Sequence, residues 1–406
     1  TSGSTGDPKG VLLPYHRWTS TLRDGLKQNR VPRIGYNYLP MYHMAGRITL
    51  YKSIMAGGLL YLTASPDMSE LFQELALARP THLLLVPRVS QMLFQEFQRR
   101  FLEEGRPPVR LHSPLGRRVA GAMRQDLFGG RLCFVHTGAA PTAEDAAEFL
   151  RVGLGVHLTD VYGSTEMGPV AVNGRVHSWL RYKLVDRPEL GYTRADKPYP
   201  RGELAIQSPR ATTGYHGGAE GLYDDQGYLL SGDIVEERAR GRIVWLDRAH
   251  SVLRLGHGQF VRASMLEELL AAHSPYIEQV YLYGNPRQSY LIAVVVPTRL
   301  VPAEGAEELL RAEIDRIAGE RGLESFEVPR QLLLEWEPFS RSNGLLSAAN
   351  KPLRPRLRSR YGARLEELYR QAESRRQRSL QLPADEPGRL RACVAQILGL
   401  ERVDLE

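Results

Sequence analysis

This 406-residue sequence has few cysteines, no long apolar run and no large excess of one charge. The two cysteines, Cys133 and Cys393, are too few and too far apart to form a disulfide framework or a thiolate metal site. The longest apolar run lies at 291–297, far short of the roughly 20 residues that cross a bilayer. A composition that is 42% apolar predicts a globular protein of more than one domain, which we expect to contact no membrane and to lie in the cytoplasm.

Lysine is also scarce, although basic residues are not. The 53 basic residues are interleaved with 46 acidic ones and form no long stripe, so the net charge of +7 does not predict nucleic-acid binding and suits a small anionic ligand equally well. Only Lys9, Lys27, Lys52, Lys183, Lys197 and Lys351 are lysines, and the other basic residues are arginines. A lysine inside a motif is therefore informative in this chain.

Helical and strand-like segments alternate between residues 69 and 160, which predicts an α/β fold with a parallel sheet covered by helices. Ligands of open sheets of this kind lie at the carboxyl ends of the strands, so we expect chemistry in the loops after Val135 and Leu158. Short strand-like runs separated by Gly, Pro and Asp turns continue to Trp245 and indicate a small β section.

A second, smaller unit of mixed helix and strand is predicted after this β section. Its helices are expected at 264–272 and 306–317, and its strands at 279–283 and 290–296. Polar, Arg-rich sequence then indicates a linker. The predicted organisation is a large subdomain at 1–246, a small α+β subdomain at 247–365, a linker at 366–388 and the start of a further domain at 389–406.

The first ten residues, TSGSTGDPKG, form a glycine-rich and hydroxyl-rich loop. Its backbone N–H groups and hydroxyls can surround phosphate oxygens, and Lys9 adds a positive charge. Pro8 rather than glycine precedes this lysine, so the loop is not the GxxxxGK[ST] type. The residues that we expect to contact phosphate are Thr1, Ser2, Gly3, Ser4, Thr5, Gly6 and Lys9.

This loop resembles the phosphate loop of the adenylate-forming superfamily, which includes acyl-CoA synthetases, luciferases and the adenylation domains of peptide synthetases. A second segment, DVYGSTE at 160–166, resembles a nucleotide motif of the same superfamily. The resemblance implies that Tyr162 stacks on the purine of ATP, that Thr165 reaches a phosphate and that Glu166 holds Mg²⁺. The other nucleotide-binding residues implied by this motif are Asp160, Gly163 and Ser164.

Further segments are similar to superfamily motifs in the same order along the chain. TGAAP resembles the adenine-contacting loop, which implies that Gly138 and Ala139 line the purine and acyl pocket. SGDIV implies that Asp233 accepts hydrogen bonds from both ribose hydroxyls. The segment at 246–261 resembles the hinge between the subdomains, with Arg248 on the ribose and His250 at the pivot.

The segment NGLLSAANKPLRPRL carries Lys351 far from the first loop. Joining a carboxylate to the α-phosphate of ATP brings two anions together, so a cation must screen the developing charge. Lysine provides a compact charge on a flexible stem, unlike the planar fork of arginine. Lysine is rare in this chain, and the segment resembles the superfamily motif at this point, so we predict that Lys351 is the catalytic lysine.

Long stretches resemble the adenylation domain of the carboxylic acid reductases in particular, among them NYLPMYHMAGR, PTHLLLVPR and YKLVDRPELGY. His43 in the first stretch matches an acyl-pocket position, and Val86, Gly138 and Met167 are the other pocket walls that we expect. The final RACVAQILGLERVDLE resembles the start of a phosphopantetheine carrier domain. The family implies that ATP and Mg²⁺ activate a carboxylic acid, that a carrier in cis accepts the acyl group on phosphopantetheine, and that NADPH reduces it to an aldehyde in domains absent from this sequence.

Two alternatives remain open at the level of sequence. A stand-alone acyl-CoA synthetase shares every nucleotide motif and differs in the thiol it uses. A non-catalytic nucleotide-binding protein is the second alternative, against which the intact Lys9, Glu166, Asp233 and Lys351 argue. Because Thr1 already lies in a loop that should follow a strand, we also expect a fragment of a longer polypeptide that is poorly active alone.

Overall fold

The computed structural model of the chain describes residues 9–26, 31–64, 68–102, 111–138, 142–218, 221–347 and 350–380. The predictions made for Thr1, Ser2, Gly3, Ser4, Thr5, Gly6, Ala139 and residues 389–406 lie outside these ranges. Among the helices that the structure describes, none has both the length and the apolar character needed to cross a bilayer.

The elements up to Arg248 are, in chain order, β1 (Val11–Leu12), α1 (Tyr15–Leu26), β2 (Ile34–Asn37), α2 (Met44–Met55), β3 (Leu59–Leu62), α3 (Leu71–Ala78), β4 (His82–Leu85), α4 (Pro87–Leu102), α5 (Pro114–Phe128), β5 (Phe134–Gly138), α6 (Glu144–Glu148), β6 (His157–Ser164), β7 (Gly168–Val172), β8 (Arg175–Val176), β9 (Arg181–Val185), β10 (Arg201–Gln207), β11 (Gly214–Tyr215), β12 (Leu229–Ala239) and β13 (Arg242–Arg248). The later elements are β14 (Val252–Arg254), β15 (Phe260–Arg262), α7 (Ala263–Ala272), β16 (Ile277–Tyr283), β17 (Leu291–Pro297), α8 (Ala306–Arg321), β18 (Pro329–Leu334) and α9 (Arg354–Leu380). Short π or 3-10 turns occur at Phe149–Gly153, Pro188–Leu190, Ala249–Ser251 and Gly256–Gly258. We call the part up to Arg248 the large lobe, 249–262 the connecting segment and 263–380 the small lobe.

The large lobe is organised around an eleven-stranded sheet in the order β3-β2-β4-β5-β6-β7-β8-β13-β12-β10-β9. The strands from β3 to β6 are parallel, and those from β6 to β9 pair antiparallel. The predicted α/β fold, with a parallel sheet followed by a small β section, is confirmed. Buried residues of α3, α4 and α5, including Leu75, Phe97 and Met123, pack in one core with β4 and β5.

The small lobe has a three-stranded sheet, with β17 between β16 and β18. Every residue of β17 is buried, because helices cover both faces of this strand. Leu291, Ala293 and Val295 belong to the core that includes α7 and α8. Ile292 and Val294 belong to a second core that includes α9. Burial on both faces explains why this strand is the longest apolar run of the chain.

The helix α9 extends further than the sequence indicated. The hydroxyl of Tyr369 donates a hydrogen bond to the carbonyl of Tyr290 at 2.7 Å, and its ring is fully buried. Residues 366–380 are helical, whereas the sequence predicted that a helix end runs into a linker over residues 366–388. The apolar positions Leu365 and Tyr369 continue the buried face of the helix into this polar stretch.

Side-chain contacts join the two lobes, among them that of the Asp247 carboxylate of β13, which accepts from the N–H of Ser264 at 3.2 Å. The Gln91 side chain on α4 donates to the carbonyl of Ala272 at 2.6 Å. On α6, the Asp145 carboxylate accepts from Arg321 at 2.8 Å and lies 3.2 Å from Nε2 of His273. These contacts hold α7 and α8 of the small lobe against the large lobe.

Candidate active site

A buried carboxylate, Asp233, is the centre of one group of predicted site residues. It lies on β12 directly opposite Arg248 on β13, and the Arg248 Nε is 2.9 Å from its Oδ1. The indole N–H of Trp245 also donates to Oδ1, at 3.1 Å, and the Tyr162 hydroxyl donates to Oδ2 at 2.7 Å. Strand register brings Asp233 and Arg248 together, and the side-chain hydrogen bond adds Tyr162, so the residues that the sequence assigned to the purine and ribose form one group.

The phenol of Tyr162 is protonated at neutral pH. Burial of this group raises its pKa well above the ordinary value, and the negative charge of Asp233 acts in the same direction. A protonated phenol has one hydrogen to donate, and Tyr162 donates this hydrogen to Asp233. The orientation of the Tyr162 ring is therefore fixed by the carboxylate that was predicted to bind ribose.

The turn between β6 and β7 carries Thr165 and Glu166. Gly163 precedes it where the strands approach closely, since a Cβ there would lie 2.1 Å from the carbonyl oxygen of Gly168. The Glu166 carboxylate accepts a hydrogen bond from the hydroxyl of Tyr215 at 3.0 Å. The ammonium of Lys9 lies 5.3 Å from the centre of the Tyr215 ring, because β1 pairs with β11. The end of the glycine-rich loop therefore lies beside the Glu166 turn.

Lys351 comes from the small lobe and is held by its main chain. Its N–H donates to Oγ of Ser347 at 3.1 Å, and its carbonyl accepts from the N–H of Ser347 at 2.8 Å. Three residues later, Arg354 donates two hydrogen bonds to the buried carboxylate of Glu267, at 2.6 and 2.8 Å. The turn that carries Lys351 is thus fastened to α7 through the start of α9.

The charges around Lys351 come from both lobes. Burial lowers the pKa of its ammonium, and the positive charge of Arg248 lowers it further. The negative charges of Asp233, Glu166 and Glu268 oppose this effect. Lys351 is thus within electrostatic range of the Asp233 group and of the Glu166 turn, both of which belong to the large lobe.

His43 caps the start of α2 and lies within electrostatic range of Lys351. Its Nδ1 accepts a hydrogen bond from the N–H of Ala45 at 3.2 Å, so the ring is fixed by the helix terminus. Burial lowers the pKa of the imidazole, and the charge of Lys351 lowers it further. The ring is therefore neutral at pH 7, and its environment includes the predicted catalytic lysine.

Two other predicted residues are Gly138 at the end of β5 and Asp160 within β6. Gly138 allows a close approach to the next strand, since a Cβ there would lie 2.8 Å from the carbonyl oxygen of Val161. Asp160 accepts a hydrogen bond from the Thr137 hydroxyl at 3.1 Å, and its N–H donates to the Asn173 side chain at 2.9 Å. These contacts of Asp160 are made within the sheet and the turn after β7, and its role toward nucleotide stays a prediction.

A cavity of about 300 Å³ opens beside the acyl-pocket motif. It is lined by residues 37–42, Leu62, Thr63 and, from the small lobe, Arg341. None of the predicted pocket walls lines this cavity, namely His43, Val86, Gly138 and Met167. Met167 is buried in the core of the β section instead. The position of the acyl pocket therefore stays a prediction.

Several residues at the site had no signal in the sequence. Arg17 contacts the Glu166 turn, Trp245 and Tyr215 bind the two carboxylates, and Glu268 lies near Lys351. No spacing distinguishes Arg17 from the many other arginines. Tyr215 could have been found only through the pairing of β1 with β11, which joins distant parts of the chain.

Comparison with known proteins agrees with this geometry. The model of the family described as AMP-binding enzyme matches residues 1–216, which include the glycine-rich loop and the Glu166 turn. The chain belongs to the AMP-binding enzyme family. Asp233 and Lys351 lie beyond the matched residues, and their roles stay predictions.

The chain is similar to carboxylic acid reductases along most of its length. It is 40% identical over 389 residues to the carboxylic acid reductase of Segniliparus rugosus and 39% identical over 385 residues to that of Mycobacterium marinum. Each alignment covers 91% of this chain and 32% of the relative, so the chain spans about a third of the length of these proteins. It is also 30% identical to fatty acyl-CoA synthetase A of Dictyostelium discoideum, covering 91% of this chain and 63% of that protein.

Solved adenylation domains have the same fold. The adenylation domain of the Segniliparus rugosus carboxylic acid reductase, solved with AMP and a co-purified carboxylic acid, superimposes with a TM-score of 0.83 at 38% identity. That match covers 91% of this chain and 60% of the solved chain. The didomain of adenylation and carrier domains from the same enzyme, solved with AMP, gives a TM-score of 0.87 at 37% identity and covers 98% of this chain and 57% of the solved chain. The predicted adenylate-forming fold and the resemblance to carboxylic acid reductases are confirmed.

Proposed function

We propose that this chain activates a carboxylic acid with ATP, giving an acyl-adenylate and pyrophosphate, as the adenylation part of a carboxylic acid reductase. The observation that carries the proposal is the convergence of Lys351 from the small lobe with Asp233 and Glu166 from the large lobe. A cation of this kind is required where a carboxylate approaches the α-phosphate. The similarity to carboxylic acid reductases supports the choice of reaction.

The residues of the large lobe bind and orient the nucleotide in this proposal. Asp233 accepts from a ribose hydroxyl, because a carboxylate has about four acceptor sites and Tyr162, Trp245 and Arg248 occupy three of them. Arg248 forms an ion pair with the same carboxylate and, in this proposal, also reaches the ribose. The loop at 1–6 and Lys9 contact the phosphates, and Tyr162, Gly138 and Ala139 surround the purine.

Glu166 fits the requirement for a magnesium ligand. Mg²⁺ takes one or two carboxylates and completes its shell with phosphate oxygens and water, so a site formed by one glutamate beside a phosphate loop suffices. Among the residues that the structure describes, no group of three or more His, Cys, Asp and Glu side chains forms a protein-only metal site. When bound, the ion neutralises phosphate charge, and Glu166 holds it while Thr165 contacts a phosphate.

The adenylation step exchanges one phosphorus–oxygen bond for another. An oxygen of the substrate carboxylate forms a bond to the α-phosphorus, and the bond between that phosphorus and the bridging oxygen of pyrophosphate breaks. Lys351 screens the charge that develops on the α-phosphate oxygens. His43, which the resemblance assigns to the acyl pocket, is neutral at pH 7 and lies within electrostatic range of Lys351. It therefore adds no charge that would hold the carboxylate away from phosphorus.

The later steps belong to the whole protein and are proposed on the same basis. A phosphopantetheine thiol of a carrier domain in cis attacks the acyl carbon, a carbon–sulfur bond forms, and AMP leaves. A reductase domain that binds NADPH would supply the hydride that reduces the thioester to an aldehyde and the free thiol. The match to a solved adenylation–carrier didomain over 98% of this chain supports a carrier at this position.

Replacing Lys351 tests the proposal. We expect Lys351→Ala to lower acid-dependent exchange of pyrophosphate into ATP by roughly a hundredfold or more, since one preorganised charge at the transition state is removed. The exposed Lys197 provides the matched control, and Lys197→Ala should leave the exchange rate unchanged. Transfer from pre-formed acyl-adenylate to the thiol should survive in Lys351→Ala. Normal exchange in a folded Lys351→Ala protein would contradict the assignment.

An acyl-CoA synthetase is the second candidate. The 30% identity to fatty acyl-CoA synthetase A, of which the chain covers 63%, favours it. The two functions share adenylation and differ in the thiol. The protein that contains this chain should therefore be assayed with free CoA and with its own phosphopantetheine arm. ATP-dependent acyl-CoA release without aldehyde formation would select the synthetase.

A further inference from the structure

A buried arginine, Arg17, lies behind the turn that carries Thr165 and Glu166. It is the third residue of α1, and only 4% of its surface is exposed, although the neighbouring Tyr15 is 82% exposed. The Arg17 guanidinium therefore points inward, toward the large sheet. Burying a guanidinium is costly unless its donors are satisfied.

The guanidinium donates to consecutive main-chain carbonyls of this turn. Nη1 donates to the carbonyl of Thr165 at 2.6 Å and lies 3.5 Å from that of Glu166, and Nη2 donates to the carbonyl of Ser164 at 3.3 Å. The N–H of Thr212 donates to the Glu166 carbonyl at 2.7 Å. The main chain of the turn is thus held from one side by α1 and from another by the segment before β11.

The charge state of Arg17 is set by the same surroundings. Burial lowers the pKa of the guanidinium to about 10, and the negative charge of Glu166 opposes that shift. Arg17 is therefore cationic at neutral pH. The planar guanidinium reaches several carbonyls at once. A lysine ammonium is a compact point charge and does not.

We propose that Arg17 is a positioning residue of the site: by holding the carbonyls of Ser164, Thr165 and Glu166, it fixes the turn that presents the Thr165 hydroxyl and the Glu166 carboxylate to the phosphates of MgATP. The inference rests on the proposed function and extends it to a residue outside the nucleotide motifs. Arg17 does not itself contact substrate in this arrangement. It acts through the main chain of the turn.

The test compares the binding of MgATP with the binding of AMP, which lacks the phosphates whose magnesium ion Glu166 is proposed to hold. Dissociation constants of MgATP and AMP are measured by calorimetry for the wild-type chain, Arg17→Gln and Arg17→Lys. Arg23→Gln is the matched control, because Arg23 is exposed on the same helix. We expect Arg17→Gln to bind MgATP roughly tenfold more weakly or worse, as for other changes behind a metal ligand, with AMP affected far less. Arg17→Lys should recover part of the loss.

A double-mutant cycle separates positioning from general stability. If Arg17 acts through Glu166, the variant carrying both Arg17→Gln and Glu166→Gln should bind MgATP about as weakly as Glu166→Gln alone. Additive losses would overturn the inference, as would unchanged MgATP binding in a folded Arg17→Gln protein. Should Arg17→Gln not fold, Arg17→Lys decides, and a wild-type ratio of the two dissociation constants in that variant overturns the inference. Absence of pyrophosphate exchange in a wild-type protein that binds MgATP contradicts the proposed function and leaves this binding test intact.

Discussion

The large lobe carries the acidic groups of the candidate site on its main sheet, Asp233 on β12 and Glu166 in the turn after β6, whereas the small lobe contributes its lysine from a short turn. Asp233 faces Arg248 across the β12–β13 pair and is also bound by Tyr162 and Trp245. The main chain of Lys351 is held in the small lobe by Ser347, and the Arg354–Glu267 ion pair lies nearby. The distance of Lys351 from Asp233 therefore depends on how the two lobes pack together.

This difference teaches which parts of the site are fixed by secondary structure and which depend on domain packing. Strand register cannot slip by one residue without reversing every side chain, so the Asp233 group is as rigid as the sheet. The lobes are joined by polar contacts of Asp145 and Gln91, which are weaker individually than a shared core. Substitutions in the two regions should therefore have different signatures.

The largest effect is expected in the rigid group. Asp233→Asn removes the negative charge that Arg248 binds and that a ribose hydroxyl is proposed to use. Hydrogen bonds to a charged group contribute about 1.5–3 kcal/mol each, so kcat/KM for ATP should fall by roughly a hundredfold or more. Glu236 lies on the same strand and forms an ion pair with the exposed Arg238, and Glu236→Gln serves as the control. Equal effects of the two substitutions on pyrophosphate exchange would show that Asp233 has no special role.

Most of the fold could be predicted from the sequence, because its signal is local. The alternation at 69–160 predicted α3, β4, α4, β5, α6 and β6, and the apolar periodicity after residue 263 predicted α7, β16, β17 and α8. The helix α5 was missed, although Ser113 caps its first turn, Pro114 begins it and Gly129 ends it in the left-handed conformation. These capping residues are a clear signal, and Val119, Met123 and Leu127 form a buried apolar face at helical spacing, so the sequence did contain the information for α5.

The site was predictable where a motif carried it and not where tertiary packing completed it. Glu166, Asp233 and Lys351 were found from short segments whose residue types suit phosphate, ribose and charge screening. Arg17 and Trp245 belong to no such segment and reach the site because α1 and β13 pack beside it. A residue that acts through the main chain of a turn leaves no trace in residue spacing.

A smaller effect is expected at the contact between the lobes. Asp145→Asn weakens the ion pairs with Arg321 and His273, which are partly exposed and therefore contribute modestly. Pyrophosphate exchange should fall severalfold at low ionic strength, because Lys351 spends less time near Asp233, and the difference should shrink as salt screens the contact. Exchange measured over a range of salt concentrations checks this expectation.

The neighbouring residue Glu144 provides the control for Asp145. Its ion pair with Arg151 lies within the large lobe and is more exposed. Glu144→Gln should leave exchange unchanged at every salt concentration. A loss in Glu144→Gln as large as that in Asp145→Asn would mean that the charge of α6, rather than the contact between lobes, is responsible.

The smallest effect is a pH dependence confined to the surroundings of Lys351. Burial raises the pKa of Glu268 to about 7, and the charge of Asp247 also raises it, while Lys351 acts in the opposite direction. Asp247 itself is buried, with its pKa raised to about 6. Between the ordinary carboxyl range and pH 7 the folded state thus binds more protons at Glu268 than the unfolded chain, so this residue makes stability fall as pH rises through that window.

Replacing Glu268 by glutamine removes this proton binding and keeps the shape of the side chain. The free energy of unfolding of Glu268→Gln relative to wild type should therefore increase from pH 4.5 to pH 7 and change little above it, the range being set by the ordinary and raised pKa values of the carboxyl. Glu278 of the same lobe is exposed, and Glu278→Gln is measured alongside as the control substitution. Parallel pH profiles for Glu268→Gln and wild type would contradict the expectation. A confirmed slope would mean that a carboxyl group within electrostatic range of Lys351 gains negative charge near pH 7.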